Sequence, residues 1–422
     1  MRIILFLILF VSLQSYSQNL NYARTIVNTL ASPAFDGRGV VNNGAKKTAQ
    51  FIEHQFDSLK MKPVKKDFAI PFQTSSVIFP EDISLSINDK QLIPGTDFLI
   101  DPASGSIEGT FQTELIRRRD LLNDPKFYNV IKTAKGKILI VDIRKKDTET
   151  KEERELIEKR INIIKYNEGA PTAGTIVYSD EKLTWGASTL ISKKASFIVR
   201  TDIAPETIKS VTVQAKSKLA KCELYNVAGK IEGWRKSDSM IVLIAHYDHL
   251  GRMGSVLFPG ANDNASGVAM LLDIARYYSQ HQPKYTTVFV ALSGEELGLE
   301  GSVAFTDKPP FDLTKIKFLI NFDLAGTGDE GIKVVNATVY KERFDTLVSI
   351  NKRKEYLPAV QPRGDACNSD HCLFYRKGVS CFYIYTLGGI QAYHDVLDKA
   401  ETLPLTEFED YKKLMIEFLD SI

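Results

Sequence analysis

The chain reads as an α/β protein with a mixed, mostly parallel central sheet, helices on both faces, and a small β-rich inserted domain. Three observations predict this. First, strand-length apolar runs recur after residue 239: "MIVLIAH" (240–246), "YTTVFVALSG" (285–294), "IKFLINFDLAG" (316–326), "GIKVVNA" (331–337) and "VSCFYIYT" (379–386). Runs without polar alternation suit strands buried on both faces. Second, helical periodicity falls between them. "NASGVAMLLDIARYYSQH" (264–281) places Val268, Leu271, Leu272, Ala275 and Tyr278 at helical spacings, and "GLEGSVAF" begins another helix. Such alternation builds an open sheet covered on both sides. Third, the texture changes between about 105 and 225. There, "GKILIVDIR" (137–145), "AGTIVYSD" and "KASFIVRTD" read as strands around one highly charged helix with Leu156, Ile161, Ile163 and Ile164 as apolar positions.

The remaining elements follow in chain order. "MRIILFLILFVSLQSYSQN" has Arg2 as a short positive end and an apolar core, Ile3 to Leu13, too short to span a bilayer comfortably. Ser15 and Ser17 are the small residues before an expected cut after Ser17, so 1–17 reads as a secretory signal peptide and predicts an exported mature protein with no stable membrane anchor. Residues 18–104 form the N-terminal part of the main domain. "TIVNTLASPAFDGRG" is a helix and a glycine-containing turn. "GAKKTAQFIEHQFDSLKMKP" is an amphipathic helix with Ala49, Ile52, Phe56 and Leu59 on one side, stopped by Pro63. Residues 105–225 form the insertion, and 226–422 the domain richest in strand-end polar residues.

Composition narrows the function. The 422 residues carry 54 basic and 52 acidic side chains, a formal net charge of +2. This balance gives no electrostatic case for a nucleic-acid partner. Four cysteines are too sparse for a disulfide scaffold, and none form the CxxC pair of a structural zinc site. Cys367 and Cys372 are close enough to bridge, and Cys381 lies in an apolar strand.

The chemistry collects where the strands end, which in open α/β sheets is where sites form. After the first core strand come His246, Tyr247, Asp248 and His249. "PGANDNASG" carries Asp263, "ALSGEE" carries Glu295 and Glu296, "INFD" ends on Asp323, and "GGIQAYHD" carries His394. Singly, each has an ordinary reading: Asp263 as a helix cap, the Glu pair as an acidic first turn, His394 as a surface histidine. Together they are a ligand set for two zinc ions, since zinc takes imidazole nitrogen and carboxylate oxygen. Two histidines and three carboxylates serve two metals if one carboxylate bridges. One residue of the Glu pair then faces the metals while the other serves as a base.

With "AHYDHLG", "PGANDNASGVAMLLDIAR", "ALSGEELGLEGS", "INFDLAG", "SDHCLFYRKGV" and "AYHD" in this order, the chain resembles the M28 family of zinc peptidases, over about residues 236–420. "LASPAFDGRG" resembles the family's N-terminal portion, and the insertion, more weakly, a protease-associated domain. The resemblance implies the zinc-exopeptidase fold and two Zn2+ per chain. It assigns His246 and Asp323 to one metal, Glu296 and His394 to the other, and Asp263 to the bridge. It also implies Glu295 as general base, Tyr393 as a donor to the oxyanion, Asp248 as a carboxylate orienting His246, and a cis peptide at Asp263–Asn264. His249 falls outside the ligand set, and Asp370 and His371 brace a nearby loop. The implied activity is hydrolysis of N-terminal peptide bonds in peptides or proteins with a free N-terminus. The alternatives are an M28-like carboxypeptidase or dipeptidase, a glutaminyl-cyclase-like transferase, and a non-catalytic binding protein on the same fold. Leu324 and Ser293 stand where the family often has Met and Thr, and neither change removes a ligand.

Overall fold

The computed structural model describes residues 20–144, 149–167 and 169–422. The expected signal peptide, 1–17, lies outside the described residues. The chain divides into two compact units. One takes in the chain up to Thr74, Glu223–Gly251 and Phe258–Ile422; the other is Ser75–Cys222 with Arg252–Leu257.

The first unit is built on a twisted mixed sheet. Its strands are β1 (Lys62–Pro63), β2 (Ala69–Ile78), β3 (Lys218–Ile231), β4 (Met240–His246), β5 (Thr286–Leu292), β6 (Ile316–Asp323), β7 (Ile332–Val335), β8 (Val360–Pro362) and β9 (Cys381–Thr386). They lie in the order β1-β3-β5-β4-β6-β9-β7-β8, with β2 also pairing β3; β2 beyond Thr74 and β3 ahead of Glu223 belong to the second unit. The central four, β5, β4, β6 and β9, are mutually parallel, while β3 and β7 run antiparallel to their inner neighbours. The parallel block is where the sequence has its unbroken apolar runs. Val242, Ile244, Val288, Val290, Leu292 and Leu319 are all buried in one core cluster, each contributing about 1.5–3 kcal/mol of transfer free energy. The chain passes from β4 to β5 on one side, then crosses to β6 on the other. This reversal opens a crevice beyond the strands' carboxyl ends.

Helices of the first unit are α1 (residues 20–30), α2 (Gly44–Ser58), α3 (Gly267–Gln280), α4 (Glu300–Asp307), α5 (Lys341–Lys354), α6 (His371–Arg376) and α7 (Phe408–Ser421). Ala49, Ile52 and Phe56 of α2 are buried, as the periodicity predicts. The long helix after Asp263 starts later than the pattern suggests, at Gly267. Residues Ala261–Ser266 instead make a wide, irregular turn whose interior departs from helical geometry at Asp263 and Asn264.

The second unit is β-rich, as expected, with an eight-stranded sheet, and takes in more of the chain than residues 105–225. Its boundary falls near Ser75, because Ser84–Ile87 pairs with Ser210–Ala215, bringing residues ahead of 105 into its sheet. Pairing across that many residues leaves no local trace in composition. At its centre Ile107–Arg117, Ile138–Asp142, Gly174–Tyr178 and Ala195–Val199 are parallel. Helices Asp124–Thr133 and Lys151–Tyr166 accompany them. Thr150 and Glu153 close a capping box on the second helix, which buries Ile157, Arg160 and Ile164.

Candidate metal centre

Four strand ends of the first unit converge on one cluster of imidazoles and carboxylates. His246 is the last residue of β4 and Asp323 the last of β6. The Nε2 of His246 lies 3.4 Å from Asp323 Oδ1 and 3.5 Å from Asp263 Oδ1. The other oxygen of Asp263 faces His394, whose Nε2 is 3.2 Å from Asp263 Oδ2 and 3.2 Å from Glu296 Oε2. Asp263 therefore stands between two histidine–carboxylate groups, the placement a bridging ligand requires. His246, Asp263 and Asp323 form one set of donor atoms within 4.8 Å of one another, and His249, Asp263 and Glu296 form another.

These residues fit two zinc ions. The donors are imidazole nitrogen and carboxylate oxygen, the hard and borderline types zinc takes. The side chains of Asp263, Glu296 and Asp323 are mostly buried, and burying several anions together is unfavourable unless cations accompany them. The site is a two-zinc centre.

Backbone and side chains around the centre hold it in shape. The peptide Asp263–Asn264 is cis, as the resemblance implies. Asn264 Nδ2 donates to the carbonyls of His246 and Phe322 at 3.2 and 3.0 Å, tying the ends of β4 and β6 together. Asp398 accepts the N–H groups of Asn262 and Asp263 at 2.8 and 3.0 Å. Tyr383, on β9, donates its hydroxyl to Asp323 Oδ2 at 3.0 Å. Neither Tyr383 nor Asp398 stands out in the sequence. The signals are slight: a tyrosine inside an apolar strand, and an aspartate four residues after His394.

Asp248 sits differently from the expectation. Its carboxylate is 3.8 Å from His246 Nδ1, too far for a hydrogen bond. The ring instead faces the Asp248 backbone carbonyl at 3.3 Å. The Asp248 carboxylate accepts the N–H groups of Glu295 and Glu296 at 3.2 and 3.3 Å. It therefore orients the glutamate pair, and the physical reason is the turn after β5, which presents two adjacent N–H groups to it.

His249 is drawn into the centre more closely than its place outside the ligand set suggests. It is buried, and its Nδ1 is 2.9 Å from Glu296 Oε1. His371 is turned away. Its Nε2 pairs with the Ala366 carbonyl at 2.8 Å, and its ring stacks on Tyr383. Cys367 and Cys372 are disulfide-bonded in the same loop. Asp370, inside this loop, is fully buried, and burial pushes its carboxyl up to about 6. Tyr393 is 54% exposed and stacks on the His394 ring at 3.9 Å.

The electrostatics separate the adjacent glutamates. Burial raises Glu295 well above the usual carboxyl range, His246 opposes that, and the negative charges of Glu296, Asp370 and Asp323 add to it. Burial would raise Glu296 as well, but hydrogen bonds from His249 and His394 outweigh it and hold Glu296 well below the usual range. Burial works against a charged His394, yet its bonds to Asp263 and Glu296 bring it up to about 11. Glu295 belongs to neither donor set.

The mixed sheet with flanking helices, and donors at the carboxyl ends of its central strands, matches the zinc-exopeptidase fold. Residues 226–419 match the profile of Peptidase family M28. Among solved structures, the Peptidase M28 precursor from Shewanella amazonensis superposes with a TM-score of 0.70, at 13% identity over 96% of this chain and 95% of that one. The zinc aminopeptidase from Bacillus subtilis superposes with a TM-score of 0.67, at 18% identity over 95% of this chain and 94% of that one. Among curated proteins, a probable zinc metalloprotease from Pyrenophora tritici-repentis is 39% identical over 115 residues, 26% of this chain and 23% of the relative. The match thus spans about a quarter of that relative's length. Among the described residues, no helix is long and apolar enough to cross a membrane.

Proposed function

We propose that this chain is an exported zinc-dependent aminopeptidase that hydrolyses N-terminal peptide bonds of peptides or proteins bearing a free N-terminus. The carrying observation is Asp263, whose two oxygens face His246 on one side and His394 on the other, with Glu295 beside the donor sets but in neither. The M28 match over residues 226–419 supports peptidase chemistry. The amino-terminal sequence supports export. The second unit is read as a protease-associated-like insertion, on its position between two sequence portions of the first.

Bound zinc supplies Lewis acidity and lowers the pKa of coordinated water toward neutrality. The chain's own residues do the rest. Glu295, held at its N–H by Asp248, receives the proton from the attacking water and passes it to the leaving amine. Its environment raises its proton affinity above that of an ordinary glutamate, which suits a group that must both take and return a proton near neutral pH. Glu296, kept anionic by two histidines, stays a ligand. The Tyr393 hydroxyl donates to the oxygen on which charge develops.

The test is a panel of free-amine and N-blocked peptides, assayed with zinc and again after chelation. Cleavage of free-amine peptides alone, abolished by chelation, is expected. Equal cleavage of blocked peptides sinks the aminopeptidase reading, and cyclisation of N-terminal glutamine in place of hydrolysis replaces it with a transferase.

A further inference from the structure

Arg38 is among the largest fully buried side chains among the described residues, 0% exposed, and lies in the "FDGRG" turn that ends the short helix Pro33–Arg38. Its guanidinium has five N–H donors, and all five are used. Nε donates to the Tyr247 carbonyl at 2.8 Å. One terminal nitrogen donates to Leu30 at 3.0 Å and Pro259 at 2.7 Å. The other donates to Gly260 at 2.7 Å and Asp263 at 3.0 Å. Every acceptor is a backbone carbonyl. Tyr247 follows His246, and 259–263 is the segment that presents Asp263. One side chain from near the N-terminus thus ties together the end of α1 and two segments that supply the metal donors.

The turn is shaped to let Arg38 reach inward. A Cβ on Gly37 would come within 2.4 Å of the Phe258 carbonyl oxygen, and one on Gly39 within 2.6 Å of the Gly251 Cα. The backbone on both sides of Arg38 lies directly against those residues, and Arg38 itself has φ of 55°. Gly260, one of the acceptors, is equally constrained, since a Cβ there would meet the His249 ring at 2.4 Å. The carboxylates of Asp263, Asp398, Asp248 and Glu296 bathe the guanidinium in negative potential, which opposes the loss of charge that burial favours.

We propose that Arg38 is a positioning residue for the metal centre: it fixes the backbone carrying His246 and Asp263, so that the site holds its shape independently of zinc. This rests on the two-zinc reading and adds to it a residue remote in sequence from every donor. Five fixed donors in one plane can hold several carbonyls in a set geometry, which a single flexible ammonium cannot.

The full-length protein, stripped by chelation, is titrated with zinc against a chromophoric chelator and with cobalt(II) by visible absorption. The wild type is compared with Arg38→Lys and with Lys412→Met. Lys412→Met removes a buried ion network with Asp273 and Glu409 that shares no hydrogen bond with the centre. Arg38→Lys is expected to weaken zinc binding about 10–100-fold and to alter the cobalt spectrum. It should lower kcat with KM little changed. Lys412→Met is expected to lower the melting temperature while zinc affinity stays near wild type. Unchanged zinc affinity in Arg38→Lys overturns the proposal, as does equal weakening in Lys412→Met, which would reduce the effect to general destabilisation. If Arg38→Lys fails to fold, hydrogen exchange of the stripped wild type decides. Amides of residues 261–264 should be protected before zinc is added, and protection that appears only with zinc overturns the proposal. Metal binding is read without peptide. An Arg38-dependent two-zinc site in a protein that cleaves no free-amine peptide therefore refutes the aminopeptidase reading and leaves this one standing.

Discussion

The two halves of the metal centre are anchored by different means. His246 and Asp323 are terminal residues of β4 and β6, strands with hydrogen-bonded neighbours on both sides. Their positions are set by backbone ladders shared over many residues. Glu296 and His394 leave from loops. Glu296 is held by the Asp248 carboxylate at its N–H and by His249 at its side chain, and His394 sits at a positive φ of 55° after β9. Asp263 belongs to both halves and is itself held at its N–H by Asp398. A ladder distributes its constraint, whereas a loop concentrates it in a few side-chain bonds. Single substitutions in the supporting residues should therefore disturb the loop-borne half more than the strand-borne half.

The largest effect is expected where neither half is touched. Glu295 lies between them as the base and binds no metal in this reading. Glu295→Gln should cut kcat by about 10²–10⁴-fold, the usual contribution of a positioned base. Zinc content by atomic absorption should stay at two per chain. Retained turnover would remove Glu295 from its role, and lost zinc would make it a ligand.

Asp248→Ala comes next. It leaves the N–H groups of both glutamates without their acceptor, an unfavourable change for partly buried donors. Zinc bound by the Glu296–His394 half should weaken about 10–100-fold, while the His246–Asp323 half keeps its metal. Calorimetric titration should then show two classes of site in place of two similar ones. Equal weakening of both would mean that Asp248 acts on His246 after all, through the 3.8 Å approach.

Tyr383→Phe probes the strand-borne half. It removes the hydrogen bond to Asp323 Oδ2 but leaves the β6–β9 ladder beneath it intact. A loss of about tenfold or less in affinity at that half, smaller than the effect of Asp248→Ala at the other, is expected. A larger loss would show that the ladder does not fix Asp323 unaided.

The same contrast explains how much could be read from the sequence. The strand-borne donors announce themselves: His246 is the first polar residue after the apolar run "MIVLIA", and Asp323 closes the strand-like run "IKFLINFD", so strand, strand end and donor are visible together. The family motifs extend that legibility to Asp263, Glu296 and His394. The supports were not visible. Arg38 acts through carbonyls more than 200 residues away, and Asp398 through the N–H groups of Asn262 and Asp263. Only the folded chain brings these pairs together, and neither leaves a periodicity or spacing to detect. The reach of the second unit back to Ser75 is hidden for the same reason, since its edge is made by pairing Ser84–Ile87 with a strand beyond residue 209. Asp248 was legible as a residue of the site but not in its contact, because the turn that offers it two N–H groups is distant in sequence.

The smallest expected effect concerns the metal-free protein, where the two halves are held by protons in place of cations. In that form His394 is raised to about 11 by its carboxylate partners against the opposing effect of burial. It holds a proton in the folded state that the unfolded chain has lost above about 6.5. Its stabilisation is complete below that value and disappears as pH rises through about 11. Burial raises Asp248 to about 7 and Asp370 to about 6, so folding favours their protonated forms too, and that contribution is lost as pH rises from about 4 through about 7. Glu296 is shifted the other way. Its contribution is present above the ordinary glutamate range and is lost only as pH falls below it, so it adds no slope near neutrality. His371 runs the other way: burial lowers it to about 4, so its contribution grows as pH rises to about 6.5 and is complete above that. Above about pH 7 the remaining term, that of His394, is lost as pH rises. The melting temperature of the chelated protein should fall between pH 7 and 9 by about 2 °C, the size of a modest free-energy change in a domain this large. With zinc bound, the cations replace these protons and compete with them at His246 and His394, so the loaded protein should hold or gain stability over the same range. Parallel falls in both forms would show that the pH response arises outside the centre.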